Sequence, residues 1–256
     1  MVLYALIAIC GAFSGFVATL AGLGSVLTLY VLIQVVGLDA DVANGTNRIG
    51  IMAMSLMALP TFYKKGHLDL KKSWWIILAI FVGAIGGAIL AAQYTNNDDF
   101  KDIFKYLLLV MLVLVLTNPK KWIQVTDHNY QMSKWLLPIF VLMGFYAGFI
   151  QVGTGVFLVV FLALAGRYSL VDSNGIKLAA IALYTLACIA IFAIENKINW
   201  EIGIVLAIGQ GFGAYIAAKF ATTYPKSNGF VRYLLIVMLI IAIIQMFELH
   251  TLFNSK

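Results

Sequence analysis

Apolar runs closed by short polar turns follow one another along almost the whole chain, at residues 2–21, 26–36, 49–63, 74–94, 103–116, 135–151, 156–165, 178–194, 202–221 and 230–249. A water-facing surface cannot be built from runs this long and this frequent. Hydrophobic residues make up 62% of the chain and charged residues 11%, so lipid is the solvent for most of it. A hydrocarbon core about 30 Å thick takes about 20 apolar residues per helical crossing. Backbone amides cannot go unpaired there, so every run is assigned to helix. The expected fold is an all-α integral membrane protein, a single transmembrane domain over residues 1–256 with about eight to ten helical segments.

The first run starts at Val2 with no basic stretch or small-residue cleavage site ahead of it, and reads as a retained membrane segment. The formal charge of +6 lies in short clusters between runs, the pattern of cytoplasmic loops and not of a nucleic-acid surface. Cys10 and Cys188 sit far apart within apolar runs and give neither a metal spacing nor a redox pair. No cofactor and no metal are implied.

The second five runs repeat the first five. Gly22-Leu23-Gly24 answers to Gly153-Thr154-Gly155, and Asn44-Gly45 to Asn174-Gly175, each soon followed by a cation, Arg48 or Lys177. Gly83 and Gly87 match Gly209 and Gly213, and residues 104–108 match 231–235. The preserved order predicts a duplication, with repeat 1 at about 1–117 and repeat 2 at about 135–250. The loop carrying Lys64, Lys65, Lys71 and Lys72 is basic, as are those with Lys120, Lys121 and Lys134 and with Lys226 and Arg232. Placing these three in the cytoplasm puts Asp98, Asp99 and Asp102 outside, together with Glu195, Lys197 and Glu201. The repeats are then inverted and both termini lie outside the cytoplasm, with Lys105 near an outer helix end as the one exception.

Runs 26–36 and 156–165 are each about half a membrane thick at 1.5 Å per residue. Each follows a glycine pair, so each repeat is expected to open with a glycine-broken hairpin whose second limb starts near the midplane. The first limb, 2–21, is long enough to span unless it bends at Gly11 or Gly15. A helix that begins inside the membrane turns bare N–H groups and its positive dipole end inward, which suits an anion. The candidate binding residues are Gly22, Gly24, Ser25, Gln151, Gly153, Thr154 and Gly155 around the breaks. Arg48 and Lys177 join them as charge, with Asn44, Asn47 and Asn174 as hydrogen-bonding neighbours. The alternative is structural: glycines for close helix packing and cations snorkelling to the interface. Lys219 reads as an interfacial anchor.

No Asp or Glu falls in the middle of a run, which disfavours a metal or sodium substrate. His67, His128 and His250 fall in turns or at a helix end and read as solvated. Ser25 has no His or acid at membrane depth to activate it, so no catalytic residue is assigned.

The stretch Gly11 to Gly24 with Asn44-Gly45-Thr46-Asn47, and Gly144-Phe145-Tyr146-Ala147-Gly148-Phe149 with Gly153-Thr154-Gly155 and Asn174-Gly175-Ile176-Lys177, resembles the TauE/SafE family of sulfite and organosulfonate exporters. The likeness covers nearly the whole chain. It departs where the family's first motif often continues with another glycine and a proline, for here Ser25 and Tyr30-Val31 stand instead. The resemblance implies a multi-pass transporter of the bacterial inner membrane for a sulfur-containing anion such as sulfite or sulfoacetate. With no Walker motif in the chain, transport is expected to be secondary. An anion channel or a non-transporting membrane sensor is the alternative. The partners expected are the small anionic substrate and the lipid bilayer, without nucleic acid.

Overall fold

The computed structural model describes residues 2–93, 132–224 and, within the last run, 229–231, 233–234, 236–237 and 240. The run at 103–116, most of 230–249, and the expectations resting on Asp98, Asp99, Asp102, Lys105, Lys120, Lys121, His128, Lys226, Arg232 and His250 lie outside the described residues.

The described residues are helical. They form α1 (Val2–Leu20), α2 (Gly24–Tyr30), α3 (Ala40–Lys64), α4 (Leu70–Gln93), α5 (Leu137–Phe149), α6 (Thr154–Gly166), α7 (Leu170–Ile194) and α8 (Trp200–Thr223). A π-helical turn, Val31–Val35, continues α2, and a 3-10 turn, Lys134–Leu136, leads into α5. Four helices, α1, α4, α7 and α8, are long and apolar enough to cross a membrane. Their number, length and composition fit a multi-pass membrane protein.

Two helices begin well before the apolar runs that announced them. The runs start at 49 and 178, yet α3 starts at Ala40 and α7 at Leu170. Their opening turns hold Asn44, Asn47 and Asn174, polar residues that stay helical because neighbouring helices give them buried partners. Ser169 caps α7, its hydroxyl oxygen accepting from Asp172 N at 3.0 Å, and Asn199 caps α8 by accepting from Ile202 N at 3.1 Å. Arg48 and Lys177 therefore lie about two turns inside their helices and not near a helix start.

Glycines bring two helix pairs into backbone contact. A β-carbon on Gly83, Gly87, Gly144 or Gly148 would lie 1.9–2.1 Å from a carbonyl oxygen across the α4–α5 interface. On Gly15, Gly209 or Gly213 it would lie 1.8–2.2 Å from one across α1–α8. Small residues let membrane helices approach this closely, where dispersion and weak polar contacts replace a hydrophobic driving force. The helix α1 is continuous through Gly11 and Gly15, where α8 packs against it.

Register gives the directions. Ala8 meets Gly209 and Ala12 meets Gly213, so α1 and α8 run the same way; Val141 meets Gly83 and Phe145 meets Gly87, so α4 and α5 do too. Across α3 and α7 the order reverses: Lys197 just beyond the end of α7 meets Gly45 near the start of α3, and His67 just beyond the end of α3 meets Gly175. These antiparallel helices are tied at both ends, by His67 Nδ1 to Asp172 Oδ1 at 2.6 Å and by Lys197 Nζ to Asp41 Oδ2 at 3.1 Å. His67, read above as solvated, is half-buried in the first of these pairs.

Candidate functional site

Both helix breaks fall where the glycine pairs stand. After α1 ends at Leu20, Gly22 takes φ +85° and α2 begins two residues on. After α5 ends at Phe149, Gln151 takes φ +66° and Gly153 takes φ +73° before α6 begins. Left-handed conformation suits Gly22 and Gly153, and at Gln151 it is a strained choice that aims a buried amide into the break. The two breaks touch. A β-carbon on Gly22 would lie 2.3 Å from Gly155 C, and one on Gly155 would lie 2.6 Å from Gly22 Cα.

Each break is held by a cation from the other half of the chain. Lys177 Nζ donates to Ala18 O at 2.9 Å, Thr19 O at 2.8 Å and Asn174 Oδ1 at 2.6 Å, while Asn174 Nδ2 donates to Leu20 O at 3.0 Å. Thr19 O and Leu20 O are carbonyls that the last turn of α1 leaves without helical partners, while Ala18 O also accepts from Gly22 N at 3.0 Å. At the end of α5, Arg48 Nη2 donates to Gly148 O and Asn44 Nδ2 to Phe149 O at 3.1 Å. The Arg48 guanidinium also lies 4.6 Å from the Phe192 ring centroid.

Arg48 and Lys177 are fully buried, so neither snorkels. Among the described residues no carboxylate pairs with either. At each break a helix C-terminus of about −0.5 charge faces a helix N-terminus of about +0.5, and these partial charges offset one another. The field that remains is that of the cations. Lys177 has all three N–H donors on protein oxygens and can act on a ligand only through its charge. Arg48 keeps Nε and Nη1 without partners.

A small cavity opens at the meeting of the breaks. From the first half come Ala18, Gly22, Ser25, Ile51 and Met54; from the second come Gln151, Thr154, Gly155, Ile181 and Tyr184. Gln151 Oε1 and the Tyr184 hydroxyl are buried without a well-formed hydrogen bond, the Gln151 amide standing beside the Tyr184 hydroxyl. Thr154 Oγ1 already donates to Gln151 O at 3.0 Å.

The twelve residues anticipated from sequence thus divide by place. Gly22, Ser25, Gln151, Thr154 and Gly155 line the cavity, and Gly153 caps α6. Gly24 packs on α1, where a β-carbon would lie 2.1 Å from Ser14 O, and does not face the cavity. Asn44, Arg48, Asn174 and Lys177 hold helix ends. Asn47 joins a separate buried cluster in which Gln210 Nε2 approaches Thr28 Oγ1 at 3.0 Å, Ser14 Oγ at 3.4 Å and Asn47 Oδ1 at 3.4 Å. Sequence reasoning missed Tyr184 and Gln210. The signal for Gln210 was a lone polar residue inside an apolar run; Tyr184 is found only by helical spacing, one face down from Lys177 and Ile181.

Paired helix breaks inside a bundle of apolar helices, tied by buried cations and enclosing a small cavity, form a candidate polar site within a membrane protein. The chain belongs to the sulfite exporter TauE/SafE family, whose model matches residues 7–246. It is 29% identical over 243 residues to a probable membrane transporter protein of Haemophilus influenzae, covering 92% of this chain and 91% of that one. It is 25% identical to the probable membrane transporter protein ORF9 of a Sinorhizobium species, over 91% and 88% of the two chains. The probable membrane transporter protein YfcA of Escherichia coli K12 is also 25% identical, over 88% and 82%. No solved structure matches the chain. The protein is a membrane transporter of this family.

Proposed function

We propose that the protein is a secondary transporter that exports a small sulfur-containing anion across the bacterial inner membrane, by alternating access around the cavity where the two helix breaks meet. The observation that carries this reading is the pair of buried cations near that cavity, Arg48 and Lys177, neither of which pairs with a carboxylate among the described residues. Burying positive charge in a membrane costs at least about 2.5 kcal/mol per cation at mid-depth, carbonyl partners offset it only in part, and an anion between the two relieves the remainder. The amides of Ser25 and Gly155, at the first turns of α2 and α6, add donors free of helical partners. The family name supports sulfur chemistry and the outward direction.

An inverted duplication supports alternating access. Of the counterparts by sequence, α3 and α7 run in opposite directions by the register given above, and α1 packs on α8 as α4 packs on α5, which supports this reading. Two such halves exchange roles when the site opens to the other side. Purified protein in liposomes should take up sulfite or an organosulfonate with saturation, and preloaded unlabelled anion should drive counterflow. Flux that rises without saturation and shows no counterflow would instead mark a channel.

A further inference from the structure

Ser14, Thr28, Asn47 and Gln210 form a second buried polar cluster, none of them more than 2% exposed. It continues the cavity by one turn of three helices: Ser14 lies one turn before Ala18 on α1, Thr28 one turn after Ser25 on α2, and Asn47 one turn before Ile51 on α3. The two hydroxyl oxygens are 2.6 Å apart and both reach Gly24 O. Gln210 Oε1 and Asn47 Nδ2 have no partner. Turning both amides end for end only exchanges which of them is left as acceptor and which as donor. The other repeat shows that packing does not require this polarity. Counting from Gly15 and Gly148, Ser14 answers to Ala147; from Gly24 and Gly155, Thr28 answers to Val159; from Gly209 and Gly83, Gln210 answers to Ala84. The register agrees, for a β-carbon on Gly15 would lie 2.2 Å from Gln210 O and one on Gly148 2.0 Å from Ala84 O. Ala84, Ala147 and Val159 are fully buried and apolar.

One further turn along, Leu32, Ala43 and Leu206 gather with Ile7 in an apolar cluster separate from the main core. Past it lies the face where α1, α3 and α8 begin, Tyr4 donating to Glu201 and Lys197 pairing with Asp41. Leu32 belongs to the π-helical turn, a distortion frequent at functional sites, whereas α6, the counterpart of α2, runs as α-helix to Gly166. We infer that the Ser14–Thr28–Asn47–Gln210 cluster is a second station for the transported anion, between the cavity and that face, and that Leu32 in its π turn is the plug that closes it. This rests on the transport reading above and adds a binding site to it. Hydroxyls and amides replace part of an anion's water, and without a fixed charge they hold it weakly enough to let it leave. The unpartnered amide groups of Asn47 and Gln210 gain partners when the anion and its water arrive.

The test uses the full-length protein in liposomes, with sulfite as the probe anion. Thr28→Cys, in a chain carrying Cys10→Ser and Cys188→Ala, should react with a charged, membrane-impermeant methanethiosulfonate added to one side of the membrane. Sulfite should slow that reaction and Leu32→Ala should speed it, while Val159→Cys, the counterpart, should gain nothing from Leu32→Ala. Gln210→Leu should lower sulfite flux per folded molecule about tenfold, the loss of one hydrogen bond on the route; the cysteine readout serves where this variant fails to fold. Thr28→Cys that stays unreactive even with Leu32→Ala, or reacts at a rate sulfite does not change, would assign the cluster to helix packing and overturn the inference. So would Gln210→Leu that lowers the folded amount while keeping flux per folded molecule, and in each of these cases wild-type flux leaves the transport reading standing. Wild-type liposomes that carry neither sulfite nor an organosulfonate would remove the transport reading itself, and the station with it.

Discussion

Replacing Gly22 by alanine tests whether the contact of the two helix breaks organises the site. The substitution adds one methyl group at φ +85°, 2.3 Å from Gly155 C and 2.4 Å from Val156 N. The left-handed conformation costs a residue with a β-carbon about 1–2 kcal/mol, and forcing a methyl into filled space costs about 1–3 kcal/mol more. Gly37 and Gly66 separate these contributions, because they take φ +80° and +78° with nothing within 4 Å of a β-carbon. Gly37→Ala and Gly66→Ala should lose only the conformational part, about 1–2 kcal/mol. Unfolding free energies in mixed micelles should therefore fall about 1–3 kcal/mol further for Gly22→Ala than for either control. Gly155→Ala strains the same contact from the other side, so the double variant should lose less than the sum of the singles. Anion flux per folded molecule should drop in Gly22→Ala and Gly155→Ala and hold in the controls. If Gly22→Ala were no less stable than Gly37→Ala and transported normally, the breaks would not depend on each other and the reasoning would fail.

Gly83→Val and Gly209→Val place side chains 1.9 Å from Val141 O and 2.2 Å from Ala8 O, so the folded fraction by gel filtration should fall sharply while flux per surviving molecule is kept. Lys177→Gln leaves carbonyls of α1 without their donors and should lower stability by about 1–3 kcal/mol; it should also weaken anion binding about tenfold through lost charge. Arg48→Gln should weaken binding likewise, and unchanged affinity in both variants would refute the electrostatic argument. Reporters fused to either terminus that work only in the cytoplasm should be inactive, and an active carboxy-terminal fusion would overturn the assigned orientation.

Apolar runs set by lipid made the helical fold legible, because an unpaired amide in hydrocarbon leaves the backbone no other choice. Glycine pairs located both breaks for the same kind of local reason. The left-handed turns at Gly22 and Gly153 stand where the repeated motif put them. Helix starts were less legible. Polar residues such as Asn44 and Asn174 look like loop until a partner carbonyl on another helix lets them stay helical.

The chain order of residues fixed what each segment could be: apolar helix, broken helix, a cation after an asparagine. Tertiary structure alone decided what those groups face. From sequence Arg48 and Lys177 were equally consistent with ligand binding and with snorkelling, since a long cationic side chain reaches either end. The fold seats them on carbonyls contributed more than 90 residues away, Lys177 on Ala18 and Thr19, Arg48 on Gly148. It likewise turns Gly24 to α1 and Tyr184 to the cavity. Composition and periodicity are sums over neighbours in the chain, whereas the partner of a buried polar atom is a neighbour in space, chosen only when the helices pack.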